Sequence, residues 1–364
     1  MPPSRFRFRP AHELARELLE FPRPRRLLAA GSLRRYRDPA LVEHLVAQCW
    51  EHRFGDPDKM LDYAETAVAV ARRLPPGAPA SDALCRACLH LSNTHRRRAE
   101  LDLASAMMEQ AKAAWASGSQ KPALKAELIW GEGVLLHDLR QLDAAASSFR
   151  TAAELYGSVG DAETRAAALI SEGMALREAG NPEDSVVPFH QAILALGSRG
   201  DVRLRVSGLQ NLALSLCDLG QYEHAHFLSR TYDWLFSSSR EPGIAIRVAL
   251  LNARIDDGLG HRLAAEHGYD RCREAFAAAG LLYERALASL HLAEFLAREG
   301  RTSDVRELCE EVSEVFDALG IARESTAASL LRDAMERPKA ELVKAVLQCL
   351  EREVRQPARR GAAG

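Results

Sequence analysis

An all-α fold of antiparallel helix pairs, stacked side by side as a solenoid, is what this 364-residue sequence predicts. The first observation behind it is a period: Gly180, Gly220, Gly260 and Gly300 follow one another in steps of 40, and Gly160, Gly200, Gly280 and Gly320 form a second series in which Arg240 stands in the gap. A fixed step of that size marks a chain built from one repeated supersecondary unit. The second is composition, 47% apolar but only 6% aromatic, with alanine and leucine prominent. That balance favours helix over strand, so almost no sheet is expected. A chain of this length would otherwise suggest two or three globular domains. In a solenoid each unit packs only on its neighbours, and length adds units along one axis instead.

Residues 1–37 differ from everything after them: RFRFRP, a short amphipathic segment AHELARELLEF, then PRPRR and LLAAGSLRRYR. Pro22 and Pro24 exclude one continuous helix there. Ten arginines against Glu13, Glu17 and Glu20 give this segment +7, so the rest of a chain of net charge −2 carries −9 (−2 − 7). The segment reads either as a basic arm for nucleic acid or an acidic partner, or as a leader whose short helices cap the first repeat. It is too short for a complete helix-turn-helix domain.

Helix pairs are expected from Asp38, an N-cap followed by Pro39 at the first helical position. DPALVEHLVAQCWEHRFGD and DKMLDYAETAVAVARRL make the first pair. PPGAPASD reads as a loop, and helices at 81–98 and 101–117 as the second pair. Regular pairs follow at 122–157, 162–197, 202–237, 243–278 and 282–317. In total about seven pairs occupy 38–320, a capping pair split at Pro338 occupies 321–356, and 357–364 is a frayed tail.

Inside each pair a small residue in the first helix (Gly133, Gly173, Ala213, Ala253, Ala293) lets the second helix approach, and one in the second (Ala145, Ser185, Ala225, Ala265) receives the return contact. The glycine seven positions after the first small residue (Gly180, Gly220, Gly260, Gly300) is placed to end helix one in a left-handed cap, with Arg140 there in the earliest regular unit. The second series ends helix two in the same way, and Asp161 and Asp201 follow as N-caps.

These spacings resemble the tetratricopeptide repeat superfamily over roughly residues 39–354. Gly220-Gln221-Tyr222-Glu223-His224-Ala225 looks like the family's G-x-Y-x-x-A turn, with Leu212 and Ala213 in its leucine-glycine positions. Phe149, Phe189 and Tyr269 stand in its aromatic positions. The period of 40 exceeds the family's usual figure of about 34, as in the long-repeat branch of bacterial regulators and kinesin light chains, and the proline that usually follows each repeat is absent. HEAT and armadillo solenoids have repeats of about 40–47 residues but lack the G-x-Y-x-x-A turn. The resemblance implies a right-handed superhelix whose first helices line a concave groove for an extended peptide or partner helix.

Motifs of chemistry are weak by contrast. Cys85-x-x-Cys88 with His90 and His95 has a metal-like look, but a zinc site needs four converging ligands, and this run reads as continuous helix with His95 about 10 Å along the axis from Cys88. His224 and His226 point to different sides of a helix. Asp256 and Asp257 diverge and read as a charged solvent face. There is no HExxH, GxxxxGK[ST], GxSxG or GxGxxG after a strand. Neither catalysis, a metal nor a cofactor is expected. Seven scattered cysteines suggest reduced thiols. With no long apolar run and no apolar signal core at the start, the cytoplasm is the expected location.

What remains is the inner face. The resemblance places there Asn93, Arg96, Arg97, Trp130, Val134, His137, Met174, Arg177, Gln210, Asn211, Leu214, Arg247, Leu250, Arg254, Asp257 and Arg298. Asn93 with Arg96 and Arg97 faintly resembles the clamp some members use for a peptide carboxylate. Three readings follow: a non-catalytic scaffold binding a protein or peptide in the groove, a peptide- or ligand-sensing module of bacterial signalling or transcription, and a nucleic-acid-associated protein acting through residues 1–37. The acidic repeats weigh against a groove-wide nucleic-acid site, and no membrane partner is expected.

Overall fold

The computed structural model describes residues 9–52, 56–237, 242–319, 330, 333–337 and 339–353, and among them there is no strand. Gly320, Arg240, Pro338 and the expected tail at 357–364 lie outside the described residues. The chain divides into two compact units, residues 1–160 and 161–364.

In the first unit α1 (Ala11–Leu19), α2 (Arg23–Ser32) and a 3-10 turn at Arg34–Tyr36 precede three helix pairs: α3 (Pro39–Glu51) with α4 (Pro57–Ala71), α5 (Ala78–Arg97) with α6 (Leu101–Ala116), and α7 (Pro122–Asp138) with α8 (Leu142–Ser158). Leu14, Ala15, Leu18, Ala30 and Tyr36 are buried in one core with Leu41, Leu45 and Met60 of the first pair. Arginines of the leader are turned to carboxylates: Arg26 to Asp62, Arg23 to Glu65, and Arg9 and Arg35 to Glu17. The Asp38 side chain accepts from Ala40 N, capping α3 as expected. Helix α5 starts at Ala78, three residues before the expected 81. Pro79 falls in its first turn, where no intrahelical N–H bond is lost, so proline was no stop signal there.

The second unit holds α9 (Ala162–Glu178) with α10 (Pro182–Leu196), α11 (Val202–Asp218) with α12 (Tyr222–Thr231) and α13 (Asp233–Ser237), α14 (Pro242–Gly258) with α15 (Arg262–Ala278), α16 (Leu282–Arg298) with α17 (Thr302–Leu319), and α18 (Ala340–Glu353) against α16. The first helices begin at 162, 202, 242 and 282, the 40-residue step made visible. One helix had been expected where α12 and α13 stand. The break falls at Tyr232, just after Thr231 turns its hydroxyl back to Phe227 O, a contact that bends helices.

The small positions act as read. Gly133 faces Phe149 and Gly173 faces Phe189, and a Cβ added to either would lie 2.9 Å or 2.7 Å from the ring. Ala145, Ser185, Ala225 and Ala265 are fully buried on the returning helices. Gly180 has φ 91°, and the bonds Gly180 N to Arg177 O and Asn181 N to Leu176 O close the cap. That is a Schellman arrangement, and Arg140 reproduces it at φ 60° with a side chain present. Gly200 does not take the expected left-handed form. Helix α10 ends earlier, and Gly197 at φ 55° caps it while Gly200 N reaches Leu196 O.

Candidate functional site

Residues one period apart fall on the same face of successive first helices, so side chains at equivalent positions of α9, α11, α14 and α16 form rows. Met174, Leu214, Arg254 and Glu294 are one such row, and Ser207, Arg247 and Leu287 another. In the second unit these rows line a cavity of about 900 Å³, to whose lining α18 adds Lys344 and Leu347. Ten of the sixteen expected inner-face residues line it: Met174, Arg177, Gln210, Asn211, Leu214, Arg247, Leu250, Arg254, Asp257 and Arg298.

The other six lie in the first unit and are largely engaged. Arg96 donates to Asn93 Oδ1 through Nε and Nη2, and to Asp138 at 2.5 Å. Two members of the expected carboxylate clamp, Asn93 and Arg96, thus bond to each other, and Asp138 takes a further donor of the Arg96 guanidinium. His137 is buried beside Asp138, Trp130 stands edge-on to Tyr156, Val134 is half-buried, and Arg97 is exposed at the surface of α5.

One wall of the cavity is an ion-pair ladder between first helices. Asp218 of α11 receives Arg177 of α9 at 3.4 Å and Arg254 of α14 at 2.9 Å. Asp257 of α14 receives Arg298 of α16 at 2.5 Å and accepts from the Tyr269 hydroxyl at 3.3 Å. Asp257 is thus no solvated carboxylate, which corrects that expectation, whereas Asp256 pairs with the exposed His261. Tyr269 stacks on His291, ring centroids 6.1 Å apart. Burial, aided by Arg254, holds the His291 imidazole well below its ordinary pKa and therefore neutral. Burial pushes the Tyr269 phenol well above its ordinary value and raises the Glu294 carboxyl.

Sequence reasoning missed Asp218, Tyr283, His291, Glu294 and Lys344 as lining residues. Three of them carried a signal: Asp138, Glu178 and Asp218 hold an acid at one repeat position, and His291 and Glu294 stand one period beyond Leu251 and Arg254. Lys344 carried none, because α18 lies outside the period.

The one thiol among the described residues that line the cavity, Cys217, is pushed up to about 11 by burial and so stays protonated near neutrality. Cys85 and Cys88 are buried thiols raised to about 12 and about 11 by burial. His95 is taken by Glu100 at 2.6 Å. Among the described residues no three His, Cys, Asp or Glu side chains converge on a common ion position. No helix among them is long and apolar enough to cross a membrane.

No family model matches the chain, and none of the curated proteins matches it. Solved structures do. RapI in its apo form aligns over 95% of this chain and 92% of its own, at TM-score 0.64 and 12% identity. NprR in complex with its cognate peptide NprX aligns over 84% and 91%, at 0.50 and 13%. Aspartyl phosphate phosphatase F from Bacillus subtilis aligns over 96% and 93%, at 0.53 and 14%. At such identities the likeness is one of fold, and the fold is the tetratricopeptide-like helical repeat.

Proposed function

We propose that the cavity of residues 161–353 binds an extended peptide and that the protein is a non-catalytic, peptide-responsive regulatory scaffold. The observation that carries this is the cavity wall itself: four successive first helices contribute apolar Met174, Leu214 and Leu250 interleaved with Gln210, Asn211 and arginines. Apolar anchors give affinity, and amides and guanidiniums fix the main chain and its orientation. A neighbour in fold, NprR, has been crystallised with its cognate peptide, which favours the peptide over a partner helix. Another neighbour is a phosphatase by name, but this cavity offers no activated nucleophile. The cytoplasm fits reduced, buried cysteines.

Residues 1–37 are assigned here as a cap on the first pair, with 38–320 as the repeats, 321–356 as the C-terminal cap and 357–364 as a tail. Buried Leu14, Leu18 and Tyr36 and the leader's ion pairs support the cap over a nucleic-acid arm. Selection of a random-peptide display library on the chain tests the function. Recovered peptides should lose at least tenfold in affinity for Leu250→Arg, and retention of full affinity by that variant would reject the cavity as the site.

A further inference from the structure

Val187 and Leu194 of α10, with Phe227 of α12 and Trp234 of α13, stand between 58% and 71% exposed on the returning helices of two consecutive repeats. Phe227 follows Val187, and Trp234 follows Leu194, by one period of 40 (227 − 187 and 234 − 194). At the same register the preceding repeat has Ser147 and Glu154, and the following one His267 and Glu274. The apolar choice belongs to these two repeats, and none of the four side chains lines the cavity. Arg205 of α11 joins the two helices at one end. Its Nη1 donates to Ser198 O at 3.1 Å, just past α10, and its guanidinium lies 5.7 Å from the centre of the Trp234 ring. Exposed apolar side chains gathered in this way mark an interaction face.

The two ends of the face differ in charge. Where α10 and α12 begin, Glu183, Asp184 and Glu223 are exposed. Towards the other end Arg199, Arg205 and Arg230 outweigh Asp233, while Arg203 is paired with Asp201. A surface that is acidic at one end, apolar between and basic at the other does not match a partner of uniform charge. It matches its own image turned end for end. A two-fold axis normal to the face makes that turn: it lays the helices of one copy antiparallel to those of the other and sets Glu223 of each copy on Arg199 of its mate.

We propose that this face joins two copies of the chain in a two-fold dimer, with Phe227 of one copy on Leu194 of the other and Val187 on Trp234. Stable pairs bury about 800 Å² on each partner, as an apolar core within a polar rim. The four apolar side chains form that core and the charged ends form the rim. Cavity and dimer face lie on different helices, so the dimer stands independently of any ligand.

Sedimentation velocity on the full chain at rising concentration, up to about 100 μM, tests the proposal. The chain should sediment as a dimer that dissociates on dilution. Phe227→Glu and Leu194→Glu, at exposed positions outside the core, should each weaken the dimer at least tenfold while circular dichroism stays unchanged. Glu223→Arg alone and Arg199→Glu alone should also weaken it, since each sets like charges together at both contacts. An equimolar mixture of those two variants should dimerise again, because both contacts of the mixed pair are then of opposite sign. A chain that stays monomeric at the highest concentration overturns the proposal and leaves the face to a different partner. A dimer that Phe227→Glu and Leu194→Glu leave intact overturns it as well, and so does a mixture of the two charge variants that stays as weak as either one alone.

Discussion

Arg177 and Asp218, 41 positions apart (218 − 177), meet as an ion pair between the first helices of consecutive repeats. Arg96 and Asp138 hold the equivalent places in the first unit and pair in the same sense. Asp257 and Arg298 repeat the geometry with the charges exchanged, again 41 apart. At the intervening step the places hold Cys217 and Gly258, and Arg254 reaches back to Asp218 instead. A contact that recurs with the period fixes how each first helix sits on the next, because the pairs lie at the helix ends where small rotations are largest. The second-unit pairs of this ladder lie along the cavity wall.

Asp218→Ala is expected to destabilise the protein by about 1–2 kcal/mol, since it leaves Arg177 and Arg254 facing each other with side chains 16% and 17% exposed. The loss stays below the roughly 3–5 kcal/mol of a fully buried pair because Asp218 is partly solvated. Urea unfolding measures it, and Arg254→Ala in the same chain should recover part of the loss.

Gly173→Ala should cost about 1–3 kcal/mol, the range for overpacking, because the new Cβ would lie 2.7 Å from the fully buried Phe189 ring. The corresponding change at Gly243, whose nearest neighbour at 3.5 Å is the mobile end of Arg247, should be close to neutral. Thermal melts of the two variants side by side separate a packing effect from a general helix effect.

Much of this is legible in the sequence. The period placed the first helices within a residue or two, because capping glycines and small contact residues answer to local geometry that each repeat must satisfy alone. Gly200 misled because three residues upstream Gly197 offered the same left-handed freedom, and the helix took the earlier exit. The cavity-lining residues that were named in advance, Met174 and Leu214 among them, were legible through the family resemblance. The pairing of Arg96 with Asp138 was not, since it needs the distance between two helices and not the face of one. His291 and Glu294 stood in the period, one step beyond Leu251 and Arg254, but the stacking of His291 on Tyr269 escaped for a related reason: it joins α15 to α16.

Acid should weaken the fold through buried imidazoles. Burial, with Arg86 adding to it, lowers His90 from 6.5 to about 4, and its Nδ1 meets no partner. The unfolded chain then binds the extra proton first, so this contribution is fully present above about pH 6.5 and is lost as pH falls toward 4. The loss is on the order of 3 kcal/mol at about 1.4 kcal/mol per unit. His291 is shifted in the same direction and adds to the slope. Urea unfolding at pH 7 and at pH 4.5 should show it, and His90→Leu should flatten the difference without loss at pH 7.

The central claim is that the ligand lies in the cavity of the second unit, and site-specific photocrosslinking tests it most directly. Benzoylphenylalanine at Leu250, on the cavity wall, should capture a display-selected peptide on irradiation. The same group at Leu263, which is 86% exposed on α15 and lines no part of the cavity, should not. Capture at 263, or at Arg16 in the leader, with none at 250 would contradict the account.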